Sequence, residues 1–177
     1  MGYTTEFTGT FLLDRPLTAP QAAYLRQFAA TRRMSRAEAA VAQVPDLLRE
    51  GVGLPIGPEG AYFVGGGAFA GQERDPSVVN PNKPPSGQPS LWCQWTPTSD
   101  GSGLTWDGGE KFYHYAEWLE YLITQFLAPW GYTLTGIVKW SGEEPDDHGV
   151  IEVQANHVTV REENDGAAQQ GDEADER

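Results

Sequence analysis

The chain has 177 residues, enough for one domain with length to spare; 39% are hydrophobic and 21% charged, which allows a packed core and excludes wholesale disorder. Its formal net charge is -13, and because Lys and Arg contacts to phosphate drive most nucleic-acid binding, a nucleic-acid partner is disfavoured. The single cysteine, Cys93, excludes an intramolecular disulfide; no stretch approaches about 18 uninterrupted apolar residues, and the opening residues lack the basic-then-apolar pattern of a secretory signal. The expectation is a cytoplasmic protein without a membrane span.

Residues 3–13 read as a strand, with Phe7, Gly9, Phe11 and Leu13 alternating with more polar neighbours. Thr18 as N-cap and Pro20 in the first turn open a helix over 19–33, carrying Ala22, Leu25, Phe28 and Ala29 at helical spacing. A second, Ala-rich helical piece is expected over 35–44, and Pro45-Asp46 opens one more turn. From 51 to 90 Gly and Pro punctuate the chain, and only 61–64 reads as a short strand. A connection of this length is usually functional or disordered. Its aromatics, Tyr62, Phe63 and Phe69, favour an ordered loop lying on the body.

Residues 91–96 and 104–106 read as two strands joined by a turn. Asp107 then offers a cap to a helix over 110–128, where Phe112, Tyr115, Leu119, Leu122, Ile123 and Phe126 form an apolar stripe. Pro129 and Gly131 stop it. Strands follow at 132–140, 150–153 and 157–160, the last two a hairpin around Ala155-Asn156.

This order predicts an α+β fold: an antiparallel sheet with two main helices on one face, in split βαβ (ferredoxin-like) order, with an added C-terminal hairpin and the long Gly/Pro-rich loop. Residues 1–160 then form one domain that contains the 51–90 loop. Residues 161–177, polar, acidic and without apolar anchors, are expected to be a disordered tail.

Chemistry-bearing residues gather in two places. Glu110, His114 and Glu117 fall near one face of the expected helix with Tyr121, at spacings of four, three and four. A His with two carboxylates suits acid–base work or a metal-assisted hydrolase. The plainer reading is a solvated polar face, and with no His-Glu-x-x-His and no phosphate-loop motif, neither a metal site nor a cofactor is expected. Glycines 108 and 109 at that helix start would let a ligand approach the backbone, although a capped strand-to-helix turn accounts for them too. Cys93, between two tryptophans, is expected to be a small buried hydrophobe rather than a nucleophile.

The second place is aromatic. Trp92 and Trp95 fall on opposite faces of their expected strand, and Trp106 with Asp107 ends the return strand. A Trp-rich core explains most of these residues. The sharper reading puts one or two of them on the open sheet face beneath the 51–90 loop, lining a pocket. Arg32, Arg33, Arg36 or Arg74 would then supply charge for an anionic ligand. Otherwise these arginines solvate a helix end.

The strings at 87–95 (GQPSLWCQW), 106–113 (WDGGEKFY), 117–122 (EWLEYL) and 129–132 (PWGY) resemble those of a family of uncharacterised proteins from bacterial and phage genomes. The opening MGYTT and the loop string YFVGG are similar to it as well. The resemblance covers nearly the whole chain except the tail. It implies a small bacterial or phage accessory protein and transfers no catalytic residue. The leading expectation is a non-catalytic binding protein, taking a protein or small anionic partner through the 51–90 loop and the neighbouring aromatic sheet. The alternatives are the metal-assisted hydrolase and an acidic mimic of nucleic acid that blocks a DNA-binding protein.

Overall fold

The computed structural model describes residues 2–65 and 70–163. In chain order its elements are β1 (Glu6–Leu13), α1 (Ala19–Ala30), β2 (Ser35–Arg36), α2 (Glu38–Val41), α3 (Leu47–Gly51), β3 (Val78–Asn80), β4 (Trp95–Pro97), β5 (Gly103–Trp106), α4 (Tyr115–Leu122), β6 (Leu134–Ser141), β7 (His148–Gln154) and β8 (His157–Glu162). β1 lies between β5 and β6. The main sheet runs β4-β5-β1-β6-β7-β8, every pairing antiparallel, and β2 pairs separately with β3.

The sheet has one buried face and one wet face because its strands alternate. On β1, Phe7, Phe11 and Leu13 point into the core, and Leu134, Val138 and Trp140 on β6 and Ile151 and Val153 on β7 do the same. α1 and α4 cover that face with Leu25, Phe28, Trp118, Leu119 and Leu122. The opposite face is open: Leu12 is 57% exposed and Ile137 50%. Trp140 lies close over Gly149, where a Cβ would stand 2.2 Å from its ring.

α1 starts where its capping box dictates. The Thr18 hydroxyl accepts from the Gln21 N–H, and the Gln21 side chain accepts from the Thr18 N–H. α4 runs on into a π-helical turn over Ile123–Leu127, which brings both Phe126 and Leu127 into the core. Ala155 and Asn156 make a two-residue β7–β8 turn with φ of 48° and 71°, the type I′ geometry that suits hairpin twist. Asn156 ties this tip to β6, accepting from the Leu134 N–H at 2.7 Å and donating to the Tyr132 carbonyl at 3.1 Å. Ala155 holds a left-handed conformation that costs an L-residue roughly 1–2 kcal/mol. Ala155→Gly is therefore expected to raise stability by about 1 kcal/mol, read as a higher urea midpoint; a lower midpoint would contradict the assigned turn.

Several expected elements differ. Residues 35–44 do not form one helix: Ser35 and Arg36 are buried and pair with β3. Residues 61–64 are not a strand, because side chains take up their backbone groups. Arg33 and Gln88 donate to the Ala61 carbonyl, Tyr24 to that of Tyr62 and Thr31 to that of Val64, while Asp46 accepts from the Val64 N–H. The strand expected from 91 begins only at Trp95, since the Leu91 carbonyl turns to accept from the Arg33 N–H. Of the residues assigned to the tail, Arg161 and Glu162 belong to β8; those from 164 on, like Phe69, lie outside the described residues.

The described residues of the 51–90 segment do not cross the open sheet face. They are fastened to the helices, with the Tyr62 hydroxyl donating to Gln125 at 2.6 Å and Gln88 donating to the Tyr121 hydroxyl at 2.9 Å. Arg33 is the centre of this fastening. Its guanidinium is buried over the Phe28 ring at 4.1 Å and reaches Ala61 and Gln88.

Candidate functional site

Gln94 organises the surface beyond β4. Its backbone carbonyl accepts from the Asp107 N–H at 2.9 Å, its amide nitrogen donates to the Glu110 carbonyl at 2.9 Å, and its amide oxygen accepts from the Trp106 indole at 3.1 Å. Gly109 has to be small here, because a Cβ would stand 2.8 Å from that oxygen. Asp107 therefore does not cap a helix. Its carboxylate accepts from the Gly109 N–H instead, and the chain remains a loop up to His114.

Lys111 and His114 both have φ near 59°, left-handed values that are uncommon outside glycine. These two residues interrupt the expected helix, so α4 begins at Tyr115 rather than 110. Glu110 is thereby removed from the helix face. His114 and Glu117 stay close, with Nδ1 to Oε2 at 3.5 Å, and both are more than half exposed. Among the described residues no group of three His, Cys, Asp or Glu side chains could hold a metal ion. The hydrolase reading loses the helix face on which it was built.

The 107–114 loop and the end of the long loop enclose a cleft of about 510 Å³. Pro89, Leu91, Trp92 and Tyr113 supply apolar walls, and Arg32 and Lys111 bring cationic groups to it. Glu110 and His114 also line it, so four of the expected site residues, Arg32, Trp92, Glu110 and His114, do meet in one place. Arg32 is held from behind, its Nε donating to the Pro81 carbonyl at 3.0 Å. Neither Arg32 nor Lys111 has a carboxylate within ion-pair distance among the described residues. A smaller hollow of about 180 Å³ adjoins the cleft and shares Trp92, Gln94 and Glu110 with it; Asp107 lies there.

The other expected site residues lie elsewhere. Trp95 is 1% exposed, with Phe7, Phe11 and Phe112 against its ring and its indole donating to the Tyr115 carbonyl. It is core because its side of the strand meets the helices. Trp106 is half-buried against Phe7 at 5.4 Å. Arg33 is enclosed by the loop it fastens, away from the cleft lining; burial lowers its pKa. Arg74 is exposed on a separate turn, lining another hollow with Thr31 and Arg36.

Reading the residues as a strand and a helix missed Pro89, Leu91, Lys111 and Tyr113. The signal for Lys111 and Tyr113 was the interval between Trp106 and Tyr115, where ionisable and aromatic residues crowd two glycines; Pro89 and Leu91 carried none. Cys93 lies behind the cleft wall with no exposure, and burial pushes its thiol up to about 12. It is expected to resist a thiol reagent such as DTNB at pH 8 until denaturant unfolds the chain; rapid labelling of the folded protein would show that the wall opens.

Among the described residues carboxylates are densest in the β6–β7 turn, and two of them are already engaged. Glu143 accepts from the Thr4 N–H and Asp147 from the Tyr3 hydroxyl. Among the described residues no helix is long and apolar enough to cross a membrane. No protein-family model, curated protein or solved structure matches the chain.

Proposed function

We propose that this chain is a non-catalytic binding protein whose cleft at Trp92 takes a ligand with an apolar body and an anionic group. The observation that carries the reading is the meeting of Arg32 and Lys111, two cations without carboxylate partners among the described residues, at an apolar concavity of an otherwise acidic chain. Such a cleft matches the general form of ligand sites, which are mostly apolar with a few convergent polar groups. Cys93 is enclosed, and although Glu110 and His114 line the cleft, Glu110 lies off the helix that carries Glu117 and no group of three such side chains converges among the described residues, which favours binding over catalysis. Of the described residues of the long loop, those of its final stretch contribute, Pro84, Pro89 and Ser90. The strand order β4-β5-β1-β6 supports a split βαβ plan extended at the β6 edge by a hairpin. The setting that the sequence resemblance implies is a small cytoplasmic accessory protein of bacterial or phage origin.

Calorimetric titration with 2-naphthoate and its uncharged amide tests the reading. At about 0.3 kcal/mol per non-hydrogen atom, naphthoate reaches a Kd on the order of 1 mM. The amide is expected to bind at least about tenfold more weakly, and added salt to weaken the naphthoate. Equal affinity for acid and amide, or no heat from either, would overturn it.

A further inference from the structure

The cleft continues into a second hollow. Pro89 and His114 line both, and the second, about 510 Å³, passes over Glu117, Glu120, Tyr121 and Gln125 along the outer side of α4. From His114 to Gln125 a helix rises about 16 Å, room for about five residues of extended chain at roughly 3.3 Å each. The charge changes sign along this path. Arg32 and Lys111 outnumber Glu110 at the cleft, whereas Glu117 and Glu120 line the extension, where His114 pairs with Glu117. A compact anion has no use for the extension, and its carboxylates would repel it. An extended chain that ends in a carboxylate and carries cationic side chains before that end complements both halves.

We propose that the occupant of this groove is the C-terminal end of a partner polypeptide, an inference that rests on the anionic-ligand reading of the cleft. The terminal carboxylate lies between Arg32 and Lys111, and the last side chain, apolar, packs against Leu91, Trp92 and Tyr113. The residues before it follow α4 toward Gln125, with Lys or Arg side chains facing Glu117 and Glu120. Charge-assisted hydrogen bonds to the carboxylate supply the orientation. The acidic pair supplies selectivity by disfavouring acidic C-termini.

Three synthetic peptides and naphthoate, titrated against the full chain, test this. The first is an N-acetylated hexapeptide that ends in phenylalanine with a free carboxylate and has lysines two and four places before it. The second is the same peptide amidated, and the third has glutamates in place of the lysines. The first is expected to bind at least about tenfold more tightly than the second, and about fivefold or more tighter than the third. The exposed double substitution Glu117→Lys, Glu120→Lys is expected to reverse the order of the first and third peptides and leave naphthoate affinity within about threefold. If naphthoate binds while the free-acid and amidated peptides bind equally, or neither binds, the peptide inference fails and the cleft reading stands. If neither naphthoate nor the free-acid peptide binds, both fail.

Discussion

Replacing Trp118 with alanine is expected to lower the stability of the fold by about 3–5 kcal/mol, the usual cost of truncating a large buried aromatic. Trp118 is fully buried, with Phe28 at 5.9 Å and Tyr121 at 5.4 Å against its ring. It joins α4 to α1, and its indole donates to the Ser90 hydroxyl at 2.7 Å. The loss therefore falls on the helix layer and on the cleft wall together. Trp118→Phe keeps most of the ring contact and gives up the hydrogen bond, so a smaller cost of roughly 1–2 kcal/mol is expected. Urea unfolding checks both. An alanine variant within about 1 kcal/mol of the parent would mean that α4 does not pack through this residue.

The second large effect concerns Arg32 and Lys111. Changing both to glutamine is expected to weaken 2-naphthoate by about 5- to 150-fold, since each charged contact at a partly exposed site contributes roughly 0.5–1.5 kcal/mol. Stability is expected to change little, because Lys111 is exposed and Arg32 makes only neutral contacts at its guanidinium. The two effects thus separate fold from binding: Trp118→Ala moves the unfolding midpoint, whereas the Arg32/Lys111 pair moves affinity alone. If the glutamine variant bound naphthoate as well as the parent does, the assignment of these cations to the ligand would be wrong.

Much of the sheet could be read from the chain because its strands have one wet side. Leu134, Val138 and Trp140 on β6 alternate with exposed Thr135, Ile137 and Lys139, and such a period is visible without coordinates. α1 was legible from Thr18 and Pro20. Failures came where distant residues decide local shape. Phe112 continues the apolar period of Tyr115 and Leu119, so the period alone places the helix start early; only the left-handed backbone at Lys111 and His114 ends the resemblance to a helix. Residues 61–64 have strand composition, but Arg33, Tyr24, Thr31 and Asp46 satisfy their backbone from elements remote in sequence.

The candidate site was legible in its ingredients and not in its assembly. Arg32, Trp92, Glu110 and His114 were all singled out, yet for two separate purposes, a loop-covered sheet face and a helix face. The cleft arises because Gln94 pulls the 107–110 backbone toward β4 while Arg33 holds Leu91 to the end of α1. Neither hydrogen bond has a periodic signature.

The central claim is best tested by following the indole N–H resonances of the six tryptophans while 2-naphthoate is added. Progressive, saturable displacement of the Trp92 resonance is expected, with that of Trp95, buried in the core, nearly stationary. A Trp92 signal that stays fixed at saturating ligand while another tryptophan's resonance moves would contradict the proposed site.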